Sequence, residues 1–495
     1  MFVHQLINQG QDDQVVFQGT QQVTYRKLRK QVSKYRDFFY QQGVRFGDNV
    51  GLLAKNSPEF IYSYMAIVGL GAIVVPLNFQ LVPREIGYIV QDANIKTVIT
   101  MNRLELDEEL KKNNSCQAVK QLVISEFRVD LDLAQIPSIP SNELTKANEV
   151  CTIIYTSGTT GNPKGAVLTH ENLISDATAF TEVIPVTPAD NLLCVLPMYH
   201  CFGWTCVVLA ALLRGACITP LESFAFKETT SAIRELGVTV VFGVPAMYTL
   251  FATRGTADDF RNVKIFVSGG ASLPAAVANQ FAGKFGIPIT EGYGLSEASP
   301  VVTFNPLGKT KIGSIGKPIP GVEVRIVDGD GRILPAGVTG ELITRGPNVM
   351  KCYYNLPDAT AQALRGGWLY TGDVAYQDEE GYVFIVDRLK DMIITSGENV
   401  YPREIEELLY AYPSVLEAAV VDIPDRLRGQ AGCAYLVLAP EQVLDKKAVL
   451  NYLQGNLAHY KIPREFVQVD ALPKNSTGKI WKRVLREQAH SKFNR

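Results

Sequence analysis

Tyr155-Thr156-Ser157-Gly158-Thr159-Thr160-Gly161-Asn162-Pro163-Lys164-Gly165 gathers the chemistry of anion binding into one short loop. Gly158 and Gly161 let backbone N–H groups approach a charged ligand closely. The hydroxyls of Thr156, Ser157, Thr159 and Thr160 add donors, and Lys164 adds a cation. An ordinary polar turn needs no such density of donors around one lysine, so phosphate is the ligand this loop predicts. A Walker A loop would place Gly before the lysine and Ser or Thr after it. Pro163 and Gly165 stand there instead, which disfavours a P-loop NTPase.

On either side of the loop, apolar strand-like runs at Thr97 to Thr100, Leu192 to Leu196, Val238 to Val244 and Lys264 to Val267 alternate with longer helix-compatible stretches. Up to about residue 320 this alternation predicts an α/β fold class of layered parallel sheets covered by helices. The segment from Ile136 to Asn148, with Pro137 and Pro140, reads as a surface connection. From Gly321 the pattern changes. Val322, Val324 and Ile326 alternate with Glu323 and Arg325, and Asp328-Gly329-Asp330-Gly331 and Asp378-Glu379-Glu380-Gly381 supply turns. A β-rich subdomain over about 321–388 is expected. Beyond it, Pro402 precedes a helically spaced run through Tyr410, and apolar strands at Ala418 to Val421 and Gly432 to Leu438 complete a small α+β domain. The expected organisation is a large N-terminal domain over 1–388 and a small C-terminal domain over 389–495. No repeat of 20 to 50 residues is present, which argues against a solenoid or propeller.

A chain of 495 residues exceeds one hydrophobic core, in keeping with that division. The net charge of -2 argues against a nucleic-acid partner held by a basic surface, and the 46% hydrophobic content argues against a disordered chain. Small-molecule chemistry is the better fit. The eight cysteines are scattered, and the closest pair, Cys201 and Cys206, lacks zinc-site spacing, so reduced, mostly buried thiols are expected. Met1 to Asp12 has neither a basic start with an apolar core nor a cleavage site, which points to a cytoplasmic protein. Phe60 to Leu77 is uncharged and long enough to raise the question of a membrane span. Gly69, Gly71 and Pro76 interrupt it, so a helix followed by a buried strand is expected, with no transmembrane segment. Peripheral membrane contact and a homodimer stay open.

Further segments carry chemistry. Glu291-Gly292-Tyr293-Gly294-Leu295-Ser296-Glu297 and Val267-Ser268-Gly269-Gly270-Ala271 offer small residues against which a flat ring can slide, and Glu297 is a hard oxygen ligand suited to magnesium. On its own, each reads equally well as a turn with an exposed acid. Asp373, in Tyr370-Thr371-Gly372-Asp373, can accept hydrogen bonds from ribose hydroxyls, and Arg388, in Asp387-Arg388-Leu389-Lys390-Asp391, can donate to the same sugar. Alone, the second of these runs would be a solvated hairpin end at the junction of the two domains. Lys479 follows the flexible Gly478 near the C-terminus and can reach another domain as a point charge, whereas Lys482, Arg483 and Arg486 read as a basic surface tail. His200, in an apolar stretch, reads more readily as a satisfied core histidine.

In this order, over about 330 residues, these segments resemble the acyl-adenylate-forming superfamily of acyl-CoA synthetases, peptide-synthetase adenylation domains and firefly-type luciferases. Glu291 to Pro300 and Ser396-Gly397-Glu398-Asn399-Val400-Tyr401-Pro402 look most like the fatty-acyl-CoA and coumarate-CoA ligase branch. The resemblance implies a large domain and a small mobile one turning about a hinge at Lys390. It assigns Thr156, Ser157, Gly158, Thr159, Thr160 and Lys164 to ATP phosphates, Gly270, Ala271, Glu291, Gly292 and Tyr293 to adenine, and Asp373 and Arg388 to ribose. Glu297 would hold Mg2+, Ser296 would bond the α-phosphate where the family commonly has Thr, His200 would flank the acyl pocket, and Lys479 would offset charge during adenylation. Gly397 would line the tunnel for coenzyme A. The implied reaction joins a fatty or aryl carboxylic acid to CoA through an acyl-AMP, with ATP consumed and pyrophosphate and AMP released. An acid:carrier-protein ligase and a silent nucleotide-binding homologue are the alternatives. Ile394 stands where luciferases carry a Lys for the oxidative half-reaction, and no carrier domain flanks the chain, so a freestanding thioester-forming enzyme is expected.

Overall fold

The computed structural model describes residues 1–19, 21–103, 119–127, 149–156, 163–474 and 479–493. The connection expected at 136–148 lies outside them.

Helices begin where local chemistry directs. The Ser57 hydroxyl accepts the N–H of Phe60 at 3.2 Å, and Pro58 takes the first position of helix Pro58–Gly69. Ahead of helix His170–Val183, Asn172 N–H donates to the Thr169 hydroxyl at 3.1 Å, and Thr169 N–H donates to the Asn172 side chain at 2.9 Å. Strand Ile73–Pro76 follows helix Pro58–Gly69, so the uncharged stretch at 60–77 is a helix and a buried strand. No helix among the described residues is long and apolar enough to cross a membrane.

Two sheets dominate the first 320 residues. A nine-stranded sheet carries five strands, Asn191–Cys194, Cys217–Pro220, Val240–Gly243, Ile265–Ser268 and Ile289–Gly294, in a parallel array, with Val15–Phe17 parallel beyond them. A seven-stranded sheet centres on the parallel strands Asn49–Leu53, Ile73–Pro76 and Thr97–Thr100. One apolar cluster joins residues of both, from Val50 and Val74 to Leu192, Val240 and Phe266, so the two sheets share a core. The expected α/β layering is borne out, with strand ends shifted by one or two residues.

The region after residue 321 forms an antiparallel five-stranded sheet around Ile326, Leu342, Ala375 and Val383. Its turn at Asp328 to Gly331 closes on a single bridge, Val327 to Ile333, and the next strand begins only at Gly340. The last hundred residues build a separate sheet around the long hairpin Val415–Asp425 and Gly429–Leu438. Alternation along that hairpin divides its faces: Ala418, Val420, Ala434 and Leu436 meet helices Pro402–Ala411 and Lys446–Gln454, while Ala419, Val421, Cys433 and Tyr435 meet helix Lys482–Phe493.

One side chain ties the end of the nine-stranded sheet to the following chain. The buried Asn348 amide donates to the carbonyls of Ala298 and Val301 at 2.9 and 2.7 Å. Replacing it leaves both acceptors without this donor, a loss of about 1–3 kcal/mol for each buried group left unpaired. Asn348→Ala is expected to lower the thermal midpoint in a melting experiment; a midpoint equal to that of the parent would contradict this role.

Candidate active site

Strands Ile265–Ser268 and Ile289–Gly294 are parallel neighbours with Ser268 opposite Glu291, and Gly269-Gly270-Ala271 leaves the carboxyl end of the first. Such ends are where open α/β sheets place ligands. Gly270 has φ +77°, a backbone state that favours glycine. Glu291 is buried, accepts the Leu273 N–H at 3.1 Å, and is pushed by burial up to about 7, with the Arg403 charge opposing. Its backbone carbonyl accepts from the Asn305 side chain at 3.0 Å.

Two residues along, the Tyr293 hydroxyl donates to Asp373. Asp373 lies directly opposite Arg388 across strands Trp368–Gln377 and Val383–Arg388, and Arg388 Nε meets Asp373 Oδ1 at 2.9 Å. Lys479 joins this group from the small domain. The Arg388 guanidinium, then burial, then Lys390 drive its amine down to about 7, against the pull of Asp373. Burial, seconded by Lys479, lowers the His200 ring to about 4, and burial with Arg388 lowers the Lys390 amine. Thus Asp373, Arg388, Lys390 and Lys479 sit within electrostatic reach of one another, three of them cationic by nature, with Asp391 beside them and His200 within reach of Lys479.

A second group lies around Glu297. Tyr353 Oη donates to Glu297 Oε1 at 2.8 Å, and the same ring lies under the Lys164 ammonium, 5.3 Å from its centroid. Ser296 Oγ and Cys201 Sγ are 3.3 Å apart. His200 Nδ1 accepts the Phe202 N–H at 3.2 Å, which puts the proton of the neutral ring on Nε2. The chain then enters a π-helix, Phe202–Leu209, where Gly203 passes so close that a Cβ would stand 2.5 Å from the Pro197 carbonyl oxygen.

The loop at 155–165 joins two antiparallel strands, Val150–Thr156 and Lys164–Thr169, with Thr156 paired to Lys164. A Walker A loop runs from strand to helix, so this connection agrees with setting that fold aside. Ser157, Gly158, Thr159 and Thr160 lie outside the described residues. Gly397, with φ +86°, sits at the turn between strands Ile393–Thr395 and Glu398–Val400, and nothing stands within 4 Å of where its Cβ would be. Among the described residues no three His, Cys, Asp or Glu side chains cluster as a metal cage.

Three participants were absent from the sequence reading. Tyr353 reaches Glu297 because strand Cys352–Tyr353 pairs with Lys164–Thr169, a non-local register that no local pattern announces. Cys201, next to His200, was read only for metal spacing. Arg403 follows Pro402 at a helix start, where charge patterning alone looks like helix surface. Lys482 and Arg486 correct the expectation of a basic surface tail. They pair with Glu406 at 2.7 Å and Asp391 at 2.9 Å inside the small domain, and only Arg483, paired with Glu487, stays on the surface.

Backbone-open strand ends beside clustered cations and buried carboxylates are the surroundings of a nucleotide ligand. The chain belongs to the AMP-binding enzyme family, whose sequence pattern matches residues 2–354, with the AMP-binding enzyme C-terminal domain matching 404–479. It is 35% identical over 474 residues to a feruloyl-CoA synthase of an Amycolatopsis species, covering 95% of this chain and 94% of the relative. It is 33% identical to a long-chain-fatty-acid–CoA ligase of Bacillus subtilis, covering 94% and 90% of the two chains. The crystal structure of ATP-bound MatB from Rhodopseudomonas palustris superimposes with a TM-score of 0.90 at 30% identity, covering 99% of each chain.

With its amine at about 7, Lys479 is largely neutral above that pH, whereas an ordinary lysine titrates near ~10.4. In the nucleotide-free protein an amine-directed acylating reagent should label Lys479 with a pH midpoint near 7, ahead of the surface lysines. A midpoint above pH 9 would contradict the crowding of cations around it.

Proposed function

We propose that this protein is an AMP-forming acyl-CoA synthetase that activates a fatty or aryl carboxylic acid as acyl-AMP and then transfers the acyl group to coenzyme A. The observation that carries the reading is the placement of Lys479 of the small domain against Arg388 and Asp373 of the large one. Arg388, Lys390 and Lys479, crowded around Asp373 and Asp391, are suited to receive a polyanion. They are also suited to offset the charge that develops when a substrate carboxylate attacks the α-phosphorus of ATP. Asp373 and Arg388 take the ribose, Gly270, Ala271 and Glu291 to Tyr293 take the adenine, and Thr156 to Thr160 with Lys164 take the leaving pyrophosphate. Ser296 hydrogen-bonds the α-phosphate. No general base is needed, since a carboxylic acid with a pKa of roughly 4 is already ionised at neutral pH.

Glu297 suits Mg2+. Its described partner is a neutral hydroxyl, Tyr353, and magnesium is commonly held by one or two carboxylates with phosphate oxygens and water completing its shell. When bound, the ion would neutralise charge on the phosphates. The acyl tail is assigned to the apolar stretches His200 to Trp204 and Val301 to Phe304, where Trp204, Val301, Val302 and Phe304 are buried. The domain boundary at 388/389, rotation about Lys390, and the approach of Gly397 to the pantetheine arm belong to the same proposal, as does a cytoplasmic location.

Incubation with ATP, Mg2+, CoA and a panel of fatty and aryl acids should release AMP and pyrophosphate and form acyl-CoA. AMP formation with transfer only to a carrier protein would replace CoA as the acceptor, and ATP binding without pyrophosphate exchange would sink the enzymatic reading altogether. Lys479→Ala is expected to slow adenylate formation about 10²- to 10³-fold, the usual cost of removing one group that stabilises developing charge. Transfer to CoA from preformed acyl-AMP should suffer far less. Equal losses in the two half-reactions would count against an adenylation-specific Lys479.

A further inference from the structure

Described residues on either side of Lys479 are tied to each other and to the core hairpin. The Trp481 N–H donates to the Pro473 carbonyl at 2.7 Å, Lys474 and Ile480 form a β-bridge, and Lys474 pairs with Glu417 on strand Val415–Asp425. Helix Lys482–Phe493 starts three residues after Lys479, so its placement bears on where Lys479 sits. Arg486 on that helix spans two carboxylates: Nη2 meets Asp391 Oδ1 at 2.9 Å, and Nε meets Asp422 Oδ1 at 2.5 Å. Both acids are 12% exposed and Arg486 is 26% exposed, so this is a largely enclosed triad. His490, one turn on, adds a 2.8 Å contact to Asp422 Oδ2, and Lys482 pairs with Glu406 at 2.7 Å.

The two acids differ in what they anchor. Asp422 belongs to the central hairpin of the small domain, whereas Asp391 follows Lys390, the residue assigned above as the hinge. Arg486 therefore joins the helix after Lys479, the core strand and the first residues beyond the hinge through one rigid planar group. Arg serves such a geometry where Lys cannot, because its fork presents separate donors in fixed directions.

We infer that Arg486 is a positioning residue for adenylation. By clamping helix Lys482–Phe493 to Asp391 and Asp422, it sets Lys479 against Arg388 and Asp373. The inference rests on the assignment of Lys479 in the proposed function. Its energetic sense is geometric: a flexible lysine misplaced by about 1 Å can cost on the order of 10²-fold in rate. The clamp also makes the small domain a single body from hinge to loop, so that a turn at Lys390 moves Lys479 with it.

The test measures both half-reactions in the full-length protein: ATP–pyrophosphate exchange with acid present, and CoA transfer from preformed acyl-AMP. Arg486→Met should lower exchange by about 10- to 100-fold and leave transfer within about twofold. Arg486→Lys, which can satisfy one carboxylate, should recover part of the exchange rate. In a Lys479→Ala background, Arg486→Met should cause no further loss of exchange, because the group it positions is gone. Equal losses in both half-reactions, or a full additional loss on top of Lys479→Ala, would overturn the inference. If Arg486→Met does not fold, Arg486→Lys and Asp391→Asn carry the same comparison, with melting curves recorded for each. Undiminished exchange in Lys479→Ala alone would remove the Lys479 assignment itself. A large loss there, with Arg486→Met unaffected, would overturn only the role of Arg486.

Discussion

The Asp373–Arg388 pair is the interaction from which the rest of the pocket takes its charge. Both residues belong to one antiparallel ribbon and face each other in register, so their separation is fixed by backbone hydrogen bonds rather than by flexible side chains. Asp373 is 3% exposed and serves three neighbours at once: the Tyr293 hydroxyl, the Arg388 guanidinium and, at longer range, the Lys479 ammonium. Asp391 adds a second carboxylate, yet the Lys479 amine is still driven down, with the Arg388 guanidinium the largest cause. Cations crowded in this way are complemented by phosphate groups.

Much of this was legible in residues whose type is dictated by backbone or charge. The parallel strands at 97–100, 240–243 and 265–268 follow from short β-branched runs between helical stretches, and the glycines at 270 and 397 stand where φ is positive. Asp373, Arg388 and Lys479 each looked weak alone, because an isolated acid or base is ordinarily surface. They become a site only when a ribbon and a separate domain bring them together. What stayed hidden was long-range register. Nothing near Tyr353 in sequence marks its pairing beside Ala166, and nothing in Lys482-Arg483-Val484-Leu485-Arg486 distinguishes the exposed Arg483 from the two enclosed cations until the helix is seen against its sheet.

The small domain presents different chemistry from its two ends. Lys479 faces the cationic pocket, while the turn at Ser396 and Gly397, with two successive positive φ angles, projects into open space. Among the described residues, polar contacts between the two parts include Glu407 accepting the Ala275 N–H at 3.4 Å and Asp387 accepting the Arg403 N–H at 2.9 Å. A polar junction of this kind is cheap to break and remake, in contrast with the apolar core shared by the two large sheets.

Tyr353 gives the phosphate side of the pocket a property of its own. Its ring carries the Lys164 ammonium on one face while its hydroxyl engages Glu297, and among the described residues Lys164 and Glu297 make no direct ion pair. One aromatic side chain thus touches both a cation and a carboxylate. A nucleotide with its metal ion would meet the lysine and the acid each unpaired with the other, with no salt bridge between them to pull apart first.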